Sequence, residues 1–192
     1  MGEIIALFIG AVLVQNIVLS SFLGICPLLG VSKKTSSALG MGLSVVFVVV
    51  VSSSLTWIIY HTILLPRDIV FMRTIVFILL IASLVQFVEM VVKKYMTSLY
   101  RSLGVFLPLI TTNCVVLGAA ILNIDRGLSF GEAFINSLGI SLGFCFVIYV
   151  FSTIRVRLEQ ANTPKGFKGV PISLITASMM AMAFIGFVGI GR

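Results

Sequence analysis

A run of 23 residues, from position 38 to position 60, carries no charged side chain and reads ALGMGLSVVFVVVVSSSLTWIIY. Because a helix needs about 20 mainly apolar residues to cross about 30 Å of hydrocarbon, this run predicts a membrane-spanning helix. Five more stretches have the same character. The six predicted spans are Ile4–Leu23, Ala38–Tyr60, Ile69–Val92, Leu99–Leu122, Phe130–Ile154 and Val170–Ile190.

The composition also indicates an all-α membrane protein. Of the 192 residues, 59% are hydrophobic and 10% are charged, whereas a soluble domain is about 25% charged. The connections between the spans are short, so residues 1–192 are expected to form a single integral membrane domain. The first span follows Met1-Gly2-Glu3 without a basic region or a small-residue cleavage site, and is therefore expected to be retained rather than cleaved as a signal peptide.

The net charge of +7 could point to nucleic acid, but its distribution argues against that partner. Nine of the 13 basic residues lie in or beside the connections after the first, third and fifth spans: Lys33, Lys34, Lys93, Lys94, Arg101, Arg155, Arg157, Lys165 and Lys168. Cytoplasmic connections carry such an excess, so these three are predicted to face the cytoplasm and both termini the outside. Anionic lipid is the expected neighbour of the basic residues.

Two of the six spans are predicted to be broken helices. A straight helix from Glu3 to Val31 would be about 42 Å long, which exceeds the hydrocarbon thickness. Proline removes an amide donor and glycine permits unusual dihedrals, so Gly24, Pro27 and Gly30 are expected to break the first span near Cys26. Pro108 is expected to break the fourth span near Cys114, where three polar residues can satisfy the freed backbone groups: Thr111, Thr112 and Asn113.

The two broken spans look like copies of each other. The segments 26–30 and 114–118 share a Cys-x-x-Leu-Gly pattern, 88 residues apart, and the same shift lays the second span onto the fifth. Since three helices per copy is an odd number, the copies must have opposite orientations. We therefore predict two inverted three-helix repeats, about residues 1–95 and 96–192, whose broken helices meet near the midplane.

Cysteine is the residue type that best suggests a cofactor here. Cys145 lies in an unbroken apolar run and is expected to pack as a small apolar residue. For Cys26 and Cys114, three interpretations remain open: packing, a disulfide if their Cα atoms lie within about 7 Å, or metal ligation. Iron–sulfur clusters normally take four thiolates, so two cysteines would provide half a site. A second chain, with the same fold inverted, would then supply the other half.

For the remaining polar candidates, a purely structural role is an alternative to a functional one. Glu89 precedes Lys93 by four residues, which suits either a helix-end ion pair or part of an ion path. Gln15 and Asn16 are expected to form interhelical hydrogen bonds or to line such a path. His61 is expected to be an interfacial polar residue. No P-loop or dinucleotide fingerprint is present, so no flavin or nicotinamide site is expected in this chain.

Three segments, 22–34, 86–93 and 99–118, carry a resemblance to a known family that extends over essentially the whole chain. They resemble the membrane subunits that include the A subunit of the Rnf complex and the E subunit of the sodium-translocating NADH:quinone reductase. Cys26-Pro27 and Thr111-Thr112-Asn113-Cys114 are more similar to the Rnf member.

The resemblance implies a subunit of an ion-translocating ferredoxin:NAD oxidoreductase in a prokaryotic inner membrane. In such complexes, homologous A and E subunits of opposite topology together hold a [2Fe–2S] cluster, two cysteines from each. The matching positions are Cys26 and Cys114, and Cys145 matches no ligand. Flavins and NAD belong to other subunits, and the implied partners are the E, B, C, D and G types. The chain would be an enzyme only as a part of that assembly.

A secondary ion transporter and a purely structural membrane component remain alternatives, since inverted repeats with broken helices are also typical of transporters. The sequence leaves open whether sodium or protons move and whether they pass through this chain. The direction of electron flow and the depth of the cluster are open as well.

Overall fold

The structure is a computed structural model that describes residues 8, 10–14, 16–67, 69–95, 109, 113–160 and 164–188. All regular elements within these residues are helical, so the all-α prediction is confirmed for them. The α-helices are α1 (Ile17–Ser21), α2 (Ile25–Val31), α3 (Thr35–Ile59), α4 (Arg73–Tyr95), α5 (Cys114–Asp125), α6 (Phe130–Gln160) and α7 (Val170–Val188). Single π-helical turns cover Gly10–Val14 and Tyr60–Leu64, and short 3-10 turns cover Val70–Met72 and Lys165–Phe167.

Within these described ranges, three helical segments are long and apolar enough to cross a membrane: Thr35–Leu64, Val70–Met90 and Phe130–Gln160. They coincide with the second, third and fifth predicted spans. Shorter apolar helices cover Cys114–Asp125 and Val170–Gly186. The predicted break at Pro108, together with Gln15, Arg101, Thr111 and Thr112, lies outside the described residues. The count of six spans, the inverted repeats and the position of the termini stay predictions.

The core lies where α3, α5 and α6 pack against one another. Its side chains are aliphatic or aromatic, and those with almost no exposed surface include Val45, Val49, Val115, Phe144 and Phe151. The outward faces are apolar too, and Leu43, Leu79, Phe87, Met179 and Met182 are each more than 60% exposed. Apolar residues on both faces of a helix are expected when one face contacts protein and the other contacts lipid.

Cys145 packs at a close contact between α3 and α6, opposite Gly42. A Cβ atom on Gly42 of α3 would lie 2.6 Å from the sulfur of Cys145 on α6. Small residues allow such approaches between membrane helices. The prediction that Cys145 is a packing residue is confirmed.

The first predicted span is broken, but only some of the residues that were predicted to break it do so. Helix α1 ends at Ser21, and its C-cap residue Phe22 has a φ of 53°. Gly24 follows with a φ of 91° before α2 begins at Ile25. Pro27 lies in the first turn of α2, where a missing N–H breaks no intrahelical bond, and Gly30 also lies within this helix. The prediction of a break, and of Gly24 as one of the residues that cause it, is confirmed. The prediction that Pro27 and Gly30 also break the helix was wrong, because both lie inside α2.

Candidate functional site

Cys114 is the first residue of α5, and an asparagine fixes this helix start. The side-chain Oδ1 of Asn113 accepts a hydrogen bond from the backbone N–H of Val115 at 3.1 Å, the geometry of an N-cap. The first backbone N–H groups of a helix are free and its dipole is positive at that end. Cys114 therefore lies where a negatively charged group is electrostatically favoured.

Cys26 is brought towards Cys114 by the break in the first span. The backbone N–H of Gly24 donates a hydrogen bond to the sulfur of Cys114 at 2.8 Å. Gly24 is the N-cap of α2, and Cys26 is the second residue of that helix. Because two residues span at most about 7 Å, the Cα atom of Cys26 lies within about 11 Å of the Cys114 sulfur. The structure thus joins the starts of the two cysteine-bearing helices.

Gly24 is required at this contact for two reasons. Its φ of 91° is disfavoured for any residue with a Cβ atom. A Cβ atom would also lie 2.6 Å from Cγ2 of Val115 and 3.0 Å from Cε2 of Phe144. The break is therefore pressed directly onto the start of α5 and onto α6.

All three cysteines are free thiols, so the disulfide that the sequence left open is not formed. Cys26 is exposed on the surface of the chain and Cys114 is half-buried. Cys114 borders a largely apolar groove of about 600 Å³ between α1 and α5. The groove runs past Ile17, Leu23 and Leu117 to Asp125. Both thiols are accessible to a group that approaches from outside the chain.

The described residues contain no cluster of three or more His, Cys, Asp or Glu side chains able to hold a metal ion. Cys26 and Cys114 are thiols of the type that can bind iron, and no group of three or more such side chains forms around them within the described residues. This donor set fits half of a four-thiolate site.

Helix α2 is also held at its far end, by residues that the sequence analysis did not assign to the site. The Nη1 of Arg155 donates to the carbonyl of Leu29 at 2.6 Å and to the Oγ of Ser32 at 2.7 Å. The Oγ of Ser152 donates to the carbonyl of Ser32 at 2.9 Å. Arg155 was interpreted only as a cytoplasmic charge, although a serine three residues before an arginine on an apolar helix was an available signal.

The other polar candidates do not join this site in the described structure. The Oδ1 of Asn16 accepts from the N–H of Val18 at 3.1 Å, and its Nδ2 donates to the carbonyl of Val12 at 3.1 Å. Asn16 thus caps α1 by local hydrogen bonds instead of the interhelical ones that were expected. His61 is exposed and stacks on Trp57 with ring centroids 3.9 Å apart, consistent with an interfacial position. Glu89 is partly buried on α4, and its role stays a prediction.

Comparison with known proteins identifies relatives over nearly the full length. The sequence profile described as "Rnf-Nqr subunit, membrane protein" matches residues 4–191. The A subunit of the ion-translocating oxidoreductase complex from Syntrophotalea carbinolica is 50% identical over 190 residues, which cover 99% of this chain and 98% of the relative. Its counterpart of the same name from Erwinia tasmaniensis is 51% identical with the same coverage. The A subunit of the Na(+)-translocating ferredoxin:NAD(+) oxidoreductase complex from Acetobacterium woodii is 51% identical over 186 residues, 97% of each chain.

The apolar helices and the full-length match define a helical membrane protein. The chain belongs to the Rnf-Nqr family of membrane subunits. The resemblance drawn from the sequence is confirmed, and the relatives named above are all of the A type.

Proposed function

We propose that this chain is the A-type member of an Rnf-type ion-translocating oxidoreductase and carries electrons across a prokaryotic inner membrane. Cys26 and Cys114 would supply two of the four ligands of a [2Fe–2S] cluster, and a homologous protein of inverted topology, the E type, would supply the other two. The observation that carries the proposal is the hydrogen bond from Gly24 to the Cys114 sulfur, which joins the starts of the two cysteine-bearing helices.

The names of the relatives support the assignment to an oxidoreductase complex. They make the chain one component of an enzyme assembly, and the B, C, D and G types are the further partners that we propose. The flavin and nicotinamide sites are assigned to those partners. The name of the Acetobacterium woodii protein makes sodium the first ion to test for this chain.

The residues around the two cysteines are suited to hold a redox group. When bound, a [2Fe–2S] cluster takes up and releases one electron at a time, and its potential depends on hydrogen bonds to sulfur and on exposure. Gly24 supplies one such hydrogen bond. Asn113 fixes the position of Cys114, and Arg155 and Ser152 fix the opposite end of the helix that carries Cys26. The buried side chains of Val115 and Phe144 exclude water behind the break.

Cysteine substitutions in the anaerobically purified complex test the ligand assignment, with Cys145 as the matched control. We expect Cys26→Ala and Cys114→Ala each to remove one [2Fe–2S] signal from the EPR spectrum of the reduced complex. Iron and acid-labile sulfide should fall by about two atoms each per complex. Cys145→Ala should keep the full signal, because Cys145 packs on Gly42. A complete signal in both Cys26→Ala and Cys114→Ala would sink the proposal.

The transporter alternative predicts a different result. The chain alone, reconstituted in liposomes, would then move ions without a redox partner, and both cysteine variants would do so equally well. A purely structural role predicts that electron transfer from ferredoxin to NAD continues in Cys26→Ala and Cys114→Ala. Measuring transport and electron transfer on the same variants separates the three functions.

A further inference from the structure

Arg155 is a buried cation without a counter-ion in the described structure. Its residue surface is only 6% exposed, and no carboxylate among the described residues forms an ion pair with it. Nη1 makes the two hydrogen bonds to Leu29 and Ser32, whereas a guanidinium carries five N–H donors. Burying an unpaired charge is costly. The remaining guanidinium nitrogens are not sealed in the core, so their N–H groups can reach an acceptor beside Arg155, and a negatively charged acceptor would compensate its charge.

A small pocket lies beside this guanidinium, between the end of α6 and the start of α7. Its volume is about 130 Å³, and the polar side chains among its lining residues are those of Arg155, Glu159, Lys168 and Ser173. Since a single water needs only about 10–15 Å³ of such space, the pocket has room for a tetrahedral anion such as phosphate.

The charges that line the pocket favour an anion. Arg155 and Lys168 contribute two positive charges and Glu159 one negative charge, so the lining is net positive. The pocket also borders Gly169, directly before the first residue of α7, where the dipole of this 19-residue helix is positive. Arginine with lysine is a common combination for binding phosphate oxygens.

We propose that this pocket binds the phosphate group of an anionic molecule, held by Arg155 and Lys168. The position favours an anionic lipid headgroup, because the pocket belongs to one of the basic connections that the charge pattern predicts to be cytoplasmic. Free inorganic phosphate has the same chemistry. The bound phosphate completes the hydrogen bonding of the guanidinium that also holds the Leu29 carbonyl at the end of α2.

The test measures thermal unfolding of this chain within the delipidated complex in a zwitterionic detergent. Three additions are compared: phosphatidylglycerol, phosphatidylcholine and inorganic phosphate. A ligand that binds the folded state raises the unfolding midpoint. We expect phosphatidylglycerol to raise it and phosphatidylcholine to have a much smaller effect. A rise with inorganic phosphate of the same size would identify the free anion as the source, and its absence would identify the lipid headgroup.

Variants assign the effect to the pocket. Lys168 is exposed, so Lys168→Gln is expected to fold and to weaken phosphatidylglycerol binding about tenfold through the loss of one charged hydrogen bond. Glu159→Gln is expected to strengthen binding by removing a like charge. Arg157→Gln is the control, because Arg157 is an exposed cation two residues from Arg155 that does not line the pocket. Equal binding in Lys168→Gln and Arg157→Gln, or equal effects of the two lipids, would overturn the proposal.

Discussion

Gly24 donates its backbone N–H to the sulfur of Cys114 at 2.8 Å, although the two residues are 90 positions apart in the chain. This contact links the N-cap of α2 to the first residue of α5. Each cysteine therefore lies in the first turn of a helix, and the main chain at the start of α2 contacts the Cys114 side chain at the start of α5. If both cysteines bind the proposed cluster, such a contact limits the conformational entropy that is lost on binding.

Gly24→Ala is expected to lower both the stability of the chain and the signal of the proposed cluster more than a glycine substitution with the same backbone strain elsewhere. The added Cβ atom would meet Val115 at 2.6 Å, and the φ of 91° would be strained as well. We expect a loss of about 2–4 kcal/mol in unfolding free energy from overpacking and backbone strain together. The proposed cluster signal should fall with it.

Gly169→Ala is the matched control, because Gly169 has a φ of 94° but open space around its Cβ position. It should lower the unfolding free energy by about 1 kcal/mol, through backbone strain alone, and keep the signal of the proposed cluster. The two variants are compared by thermal unfolding and by EPR intensity. Equal effects of the two substitutions would show that the contact between position 24 and Val115 contributes nothing beyond backbone strain.

Asn113→Ala should loosen the start of α5 and with it Cys114. An N-cap asparagine contributes about 1 kcal/mol, because its side chain satisfies a free N–H group of the first turn. The expected result is faster alkylation of Cys114 by a maleimide in the complex without the proposed cluster, with the alkylation rate of Cys145 unchanged. Asn113→Asp keeps the capping oxygen and should restore the slow rate. A rate in Asn113→Asp as fast as in Asn113→Ala would contradict the capping role.

The apolar spans were predictable from sequence, since an uncharged run such as 38–60 has few alternatives to a buried or lipid-facing helix. The position of the break was predictable only in part. Whether a proline breaks a helix depends on where that helix begins, and Pro27 falls in the first turn because Gly24 ends the preceding segment. Local composition does not contain that information.

The cysteine ligands could be proposed from sequence, but the contacts that support them could not. Gly24 reaches Cys114 across 90 residues, and Arg155 reaches Leu29 across 126. An arginine near the end of an apolar helix is normally a topology signal that lies in the headgroup region. Only the packing of α2 against α6 makes this one a buried hydrogen-bond donor.

Asn123→Leu is expected to destabilise the helix core, where α3, α5 and α6 share a buried polar network. The Nδ2 of Asn123 donates to Ser53 at 2.7 Å and to Ser137 at 2.8 Å, and its Oδ1 accepts from Asn136 at 2.7 Å. A hydrogen bond between membrane helices contributes about 0.6 kcal/mol on average. Three of them, with partners left unpaired, should amount to about 2 kcal/mol.

The matched control for this network is Thr176→Val, because Thr176 bonds only to the carbonyl of Ile172 on its own helix. It should change the free energy of unfolding by less than about 0.5 kcal/mol. Unfolding of both variants in detergent by SDS titration gives the comparison. A loss below about 0.5 kcal/mol for Asn123→Leu would show that the network is not stabilising.

The contact between Gly42 and Cys145 predicts a non-additive pair of substitutions. Gly42→Ala places a Cβ atom 2.6 Å from the Cys145 sulfur and 3.3 Å from its Cα and Cβ atoms. The overpacking should cost about 1–3 kcal/mol, partly offset by the helix propensity of alanine, which exceeds that of glycine by about 1 kcal/mol. The single variant should therefore be less stable than the parent.

Removing the sulfur should reverse the sign of that effect. In a Cys145→Ala background the closest atom is gone, and the remaining contacts at 3.3 Å require a shift of only a few tenths of an ångström. Gly42→Ala should then be neutral or stabilising, and the coupling energy of the double-mutant cycle should exceed about 1 kcal/mol. SDS-induced unfolding of the four proteins measures it. Additive effects would mean that α3 and α6 do not meet at these two residues, and the packing role of Cys145 would lose its support.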